Sequence, residues 1–142
     1  MQYHTTTVNG IAFSSDGIRF ASAGADNNTV VWNLANGETL FEQPDNDGRK
    51  VFFGPTDDIL ITVSSTGFTR VWTLDMQPPR RMIETVSFDG YESTGDEVVQ
   101  SPDKTGLAFG SRTGAIRLWR IPEGEVIFDN AAAHTGAIRA LE

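Results

Sequence analysis

The sequence predicts an all-β fold made from one four-stranded unit used three times, and three observations predict it. Three tryptophans, Trp32, Trp72 and Trp119, close the similar phrases NTVVWN, FTRVWT and AIRLWR at intervals of 40 and 47 residues. Short apolar runs alternate with turn-forming clusters along the whole chain, and helical periodicity never extends beyond a few residues. HTTTVNGI from His4 lines up with HTGAIRAL from His134, an offset of 130 residues or three units averaging about 43.

Within a unit, each tryptophan lies 19 residues after an equivalent position, namely Phe13, Phe53 and Gln100. The first and third of these open the matching turns SSDG and SPDK. The first unit reads as strands near 8–13, 18–23, 29–33 and 38–42, separated by Ser-Ser-Asp-Gly, Ala-Asp-Asn-Asn and Ala-Asn-Gly. The second places them near 49–53, 59–63, 68–73 and 81–87, and the third near 96–100, 106–110, 115–120 and 125–129. Ile116 and Leu118 alternate with Arg117 and Trp119, so the third strand presents two different faces and lies between neighbours.

Composition narrows the function classes. At 142 residues with 39% hydrophobic content, the chain suffices for one core-forming domain. Nineteen acidic residues against eleven basic ones give a formal charge of −8, which repels phosphate backbones, so no nucleic acid is expected. With no cysteine, disulfides and thiolate metal sites are excluded and the redox compartment stays open. No run of apolar residues is long enough to span a membrane and the first residues carry no basic or apolar leader pattern, so no membrane and a cytoplasmic location are expected.

The phrase H-x(8)-F-S-x-D-G…A-S-x-G-x-D-x-x-x-V-V-W, from His4 to Trp32, resembles the WD-repeat β-propeller signature, in which each repeat supplies the four strands of one blade. The similarity is strong in the first unit and in the residues from His134, and moderate between them. Asn33, Thr73 and Arg120 stand where that family's name-giving aspartate follows the tryptophan. The resemblance implies a partial, open β-propeller of three four-stranded antiparallel blades, about 4–43, 44–90 and 91–133, plus one orphan strand at 134–142. It also implies that His4, Ser22, Asp26 and Trp32 form a buried hydrogen-bond network, because an indole N–H, an imidazole and a carboxylate can be buried together only by bonding one another. In the later units Pro44 and Tyr91 replace the histidine, and Thr66 and Thr113 the aspartate, so those units are expected to rely on apolar packing.

Histidine, serine and aspartate also suggest a hydrolase triad. A nucleophilic serine needs an exposed, strained turn, whereas Ser22 lies in the alternating strand FASA. DNDG at 45–48 lacks the further oxygen ligands of a calcium loop and reads as a polar turn. QPPRR at 77–81 falls in a connection seven residues longer than its counterpart in the first unit and reads as a solvated loop or a docking knob. No cofactor and no metal are implied.

The function expected is a non-catalytic protein-interaction scaffold that needs further blades, from another chain or another copy, to close a ring. The alternatives are a propeller-based enzyme and a non-functional truncated repeat fragment. Three blades cannot close a ring of four to eight, and the duplicated opening strand near Ile138 favours a piece of a longer propeller over self-assembly of copies. The resemblance places partners on the turns between second and third strands, where Arg112 is the candidate contact because its guanidinium can fork a carboxylate.

Overall fold

The computed structural model describes residues 3–44, 47–89, 97–131 and 133–135. Among them are twelve strands and no helix. Strands β1 (Val8–Phe13), β2 (Arg19–Gly24), β3 (Thr29–Asn33) and β4 (Thr39–Gln43) form the first blade. The second holds β5 (Gly48–Phe53), β6 (Ile59–Ser64), β7 (Phe68–Asp75) and β8 (Arg81–Asp89). The third holds β9 (Glu97–Gln100), β10 (Gly106–Gly110), β11 (Ile116–Arg120) and β12 (Glu125–Asn130). Each blade is an antiparallel sheet whose strands pair in chain order, as successive hairpins dictate. The predicted strand positions agree with these to within two residues at each end. The expected fourth-blade strand lies mostly outside the described residues, apart from His134, whose backbone N–H donates to the Gly114 carbonyl at 2.9 Å.

The repeat holds at the level of register. Phe13, Phe53 and Gln100 sit opposite Phe20, Leu60 and Leu107, and these in turn sit opposite Trp32, Trp72 and Trp119. In all three blades the pairing of third and fourth strands shifts at the tryptophan, between Val31 and Trp32, Val71 and Trp72, and Leu118 and Trp119. A bulge of this kind sharpens the local twist.

The blades stack face to face. Ala21, Ala23, Val31 and Phe41 of the first pack on Val51, Phe53, Leu60, Trp72 and Leu74 of the second. Ile61, Val63, Val71 and Phe88 of the second pack on Val98, Leu107, Phe109, Trp119 and Ile121 of the third. The core is therefore two layers between blades, and period-two alternation sends the two sides of the second blade's strands to different layers. The first strands run close together, and Gly10 makes this possible: a Cβ there would lie 3.1 Å from the Lys50 Cα. Polar bonds tie the same strands, with Lys50 Nζ donating to Glu97 Oε2 at 2.7 Å and Gln100 Nε2 to the Phe53 carbonyl at 2.7 Å.

One expectation about the second blade needs correction. The seven extra residues between Trp72 and the following turn do not lengthen the loop around QPPRR. They lengthen β7 to eight residues and β8 to nine, against five each for β3 and β4, so the loop of residues 76–80 matches 34–38 in length.

Candidate interaction face and its buried polar network

Every blade has a leading face, which carries the tryptophan, and a trailing face. The leading faces of the second and third blades are covered by the trailing face of the blade before. The leading face of the first blade is open. Ile11 and Phe13 are 61% and 62% exposed, whereas Val51 and Phe53, at the same repeat positions in the second blade, are 3% and 1% exposed. A groove of about 700 Å³ runs over this face, lined by Tyr3, His4, Ile11, Phe20, Ser22 and Trp32 among others. Trp32 stacks on Phe20 at 5.8 Å and meets Tyr3 edge-on at 5.1 Å. Burial, with the nearby Glu42 carboxylate, pushes the Tyr3 phenol up to about 12.

The four polar residues expected to bond one another are brought together on this blade. His4 Nδ1 lies 3.0 and 3.1 Å from the two Asp26 carboxylate oxygens, His4 Nε2 lies 2.7 Å from Ser22 Oγ, and Trp32 Nε1 donates to the same Oγ at 2.9 Å. The partners fix the tautomer: Nδ1–H donates to the carboxylate, leaving Nε2 to accept the serine hydroxyl. Asp26 also accepts the backbone N–H groups of Thr5 at 2.8 Å and Asn28 at 3.2 Å. Burial works to raise the Asp26 carboxyl, but the His4 ring and these two amides outweigh it and hold the group below the ordinary carboxylate range.

Gly24 shows how the ring is accommodated. A Cβ at this position would fall 2.5 Å from His4 Nδ1 and 2.6 Å from Asp26 Oδ1. The equivalent residues of the other blades are Ser64 and Ser111. Ser64 Oγ lies 2.8 Å from Thr66 Oγ1 and accepts the N–H of Phe68 at 3.0 Å; Ser111 Oγ lies 2.8 Å from Thr113 Oγ1 and accepts the N–H of Ala115 at 2.9 Å. A serine side chain in two blades thus does within its own turn what an imported imidazole does in the first. The expectation that the later blades rely on apolar packing alone is corrected by these bonds and by Trp72 Nε1, which donates to Thr62 Oγ1 at 3.0 Å. The signal was present in the sequence: GAD in the first unit becomes SST and SRT in the others. In the third blade Phe109 stands where Ser22 and Thr62 stand, and the buried Trp119 Nε1 has no partner among the described residues; its ring stacks on Phe88 at 4.2 Å instead.

Asp26, His4 and Ser22 have the connectivity of a catalytic triad, and the geometry says what that chain can do. Ser22 is buried in the middle of β2, and its hydroxyl oxygen already accepts the Trp32 indole. A nucleophile engaged in this way is held in place, and a substrate carbonyl would have to displace the ring that holds it. Arg112 is exposed in the turn between β10 and β11, on a different blade from this network. Of the DNDG stretch, Asp45 and Asn46 lie outside the described residues, and Asp47 Oδ2 accepts the Ser65 hydroxyl at 2.5 Å. Among the described residues no helix is long and apolar enough to cross a membrane, and no group of acidic and histidine side chains has the arrangement of a metal site.

Three four-stranded antiparallel sheets packed face to face, with no closure among the described residues, define an open β-propeller. Residues 1–33 match the family model of the WD domain, G-beta repeat. The whole chain matches the crystal structure of the computationally designed Ika4 protein with a TM-score of 0.76 and 24% identity, covering 100% of this chain and 82% of that one. It also matches the crystal structure of RRP9 WD40 repeats with a TM-score of 0.73 and 13% identity, over 90% of this chain and 39% of that one. The matched residues run from the start of the chain to the end of β3, so the first three strands of the first blade resemble a WD repeat, and the two structural likenesses agree with that in fold. The chain spans about two-fifths of the RRP9 chain it matches.

Proposed function

We propose that the protein is a non-catalytic interaction scaffold whose open blade faces accept further blades. Repeats of this family generally serve as protein-interaction scaffolds. The observation that carries the reading is the contrast between Phe13 and Phe53, one repeat position found exposed on the first blade and buried against a neighbour on the second. An apolar face of blade size, left open, marks a docking surface. The His4–Asp26 network braces that face, and nothing in the reading asks it for chemistry. Arg112 contributes a second contact, to an acidic partner, on the surface of the turns between second and third strands. The cytoplasm as compartment rests on sequence character alone.

Uptake of an apolar dye such as anilinonaphthalene sulfonate by the dilute chain tests the reading. The dye binds, and Phe13→Asp lowers the uptake at least severalfold with little change in the unfolding midpoint. A monomeric chain that takes up no dye has no open face, and the proposal fails. Ester hydrolysis by the purified chain that disappears in Ser22→Ala favours the enzyme alternative.

A further inference from the structure

The first blade's open face has a counterpart at the other end of the molecule. In the blade-one to blade-two interface the trailing face contributes Phe41, paired with Val31 in the sheet and only 4% exposed, with Leu40 at the bulge beside it. The same two positions in the third blade are Phe128, paired with Leu118, and Ile127 at the corresponding bulge. Phe128 is 49% exposed and Ile127 is exposed beside it. One chain therefore carries both halves of a blade interface that it already forms twice internally, each half uncovered.

The two internal interfaces show how these halves would meet. At both, a large apolar residue at this position of the fourth strand reaches the cluster around the tryptophan of the next blade, Phe41 with Trp72 and Val86 with Trp119, and at the second interface Phe88, two residues beyond Val86, stacks on Trp119 at 4.2 Å. Resting on the open-face reading above, we infer that the occupant is a second copy of this chain. The third blade of one copy docks by Phe128 and Ile127 onto Ile11, Phe13 and Trp32 of the other. The contact is head to tail, so each copy offers both sides, and two arcs of three blades close a ring of six, within the range that propellers adopt.

Sedimentation of the purified full chain decides this. The wild type runs as a discrete dimer, twice the 15.5 kDa chain mass. Ile11→Asp, on the leading face, and Phe128→Asp, on the trailing face, each weaken dimerisation at least tenfold, and both positions are exposed in the single chain, so its unfolding midpoint holds. Mixing the two variants restores a heterodimer, because each retains the face that the other lacks. A dimer insensitive to Phe128→Asp, or two variants that fail to complement, overturns the head-to-tail pairing. A wild-type monomer that takes up dye overturns self-pairing and leaves the open-face reading standing, whereas a monomer without dye uptake removes both.

Discussion

Phe13 and Phe53 are the same residue at the same place in the repeat, each opposite its second-strand partner and 19 residues ahead of a tryptophan. One is in a core and the other is in water. Nothing within their own blades accounts for this. The difference lies in what stands next door, so in a stacked-sheet molecule burial belongs to the interface, and a residue's pattern records only that it is fit for one. The polar side differs in the opposite sense. The first blade, with its tryptophan face open, carries the most elaborate network, and the two blades whose tryptophan faces are covered make do with local serine–threonine turns and one tryptophan–threonine bond.

The largest effect expected comes from breaking the hydrophobic side of this comparison. Phe53→Ala should cost about 3–5 kcal/mol in urea unfolding, through lost transfer and an unfilled cavity. Phe13→Ala, measured where the chain is monomeric, should stay within about 0.5 kcal/mol. Equal losses would mean that the first blade's face is covered after all.

A smaller effect sharpens the polar side. Asp26→Ala should destabilise by about 1–3 kcal/mol, since it strands the His4 ring and two backbone amides. Thr62→Val, which removes the acceptor of the Trp72 indole, should cost about 1 kcal/mol. If a serine turn can replace the imidazole, Gly24→Ser combined with Asp26→Thr and His4→Ala should recover most of the Asp26→Ala loss. A triple variant no more stable than the single one would show that the two arrangements are not interchangeable.

The smallest effect is with pH. The Ser14 hydroxyl, with the Ile18 amide and Arg19, holds the Asp16 carboxyl at about 2 against an ordinary 3.8, and Asp26 is lowered in the same direction. Carboxyls depressed by folding lend stability that is complete above their unfolded value and drains away as the pH falls through their folded value. The urea midpoint should therefore fall from about pH 4 downward, and Asp26→Asn should make that decline shallower. A midpoint unchanged to pH 2 would remove these carboxylates from the stability of the first blade.

Much of this was legible in the sequence, and the parts that were not share a cause. The 19-residue spacing marked the sheet register because it counts across two hairpins of fixed length, and turn chemistry marked the three connections of the first blade and the SPDK turn of the third because glycine, aspartate and asparagine fall where hairpins need them. The lengthened β7 and β8 were read as a longer loop, since an insertion near Pro78 and Pro79 looks the same on paper whether strands or turn absorb it. Ser64 and Ser111 carry no sign of their role in a comparison of like with like, because neither later unit has a histidine to align with His4. The substitution that compensates sits at Gly24, a residue with no side chain to draw notice.

The placement of tryptophans, one on each leading face, gives the molecule a set of built-in optical probes. Trp72 and Trp119 look into the two internal seams, the first donating a hydrogen bond and the second finding no acceptor among the described residues, while Trp32 looks outward. Replacing any two with phenylalanine leaves a chain whose emission colour reports a single seam, and the Trp32-only version would turn blue only when a neighbour arrives.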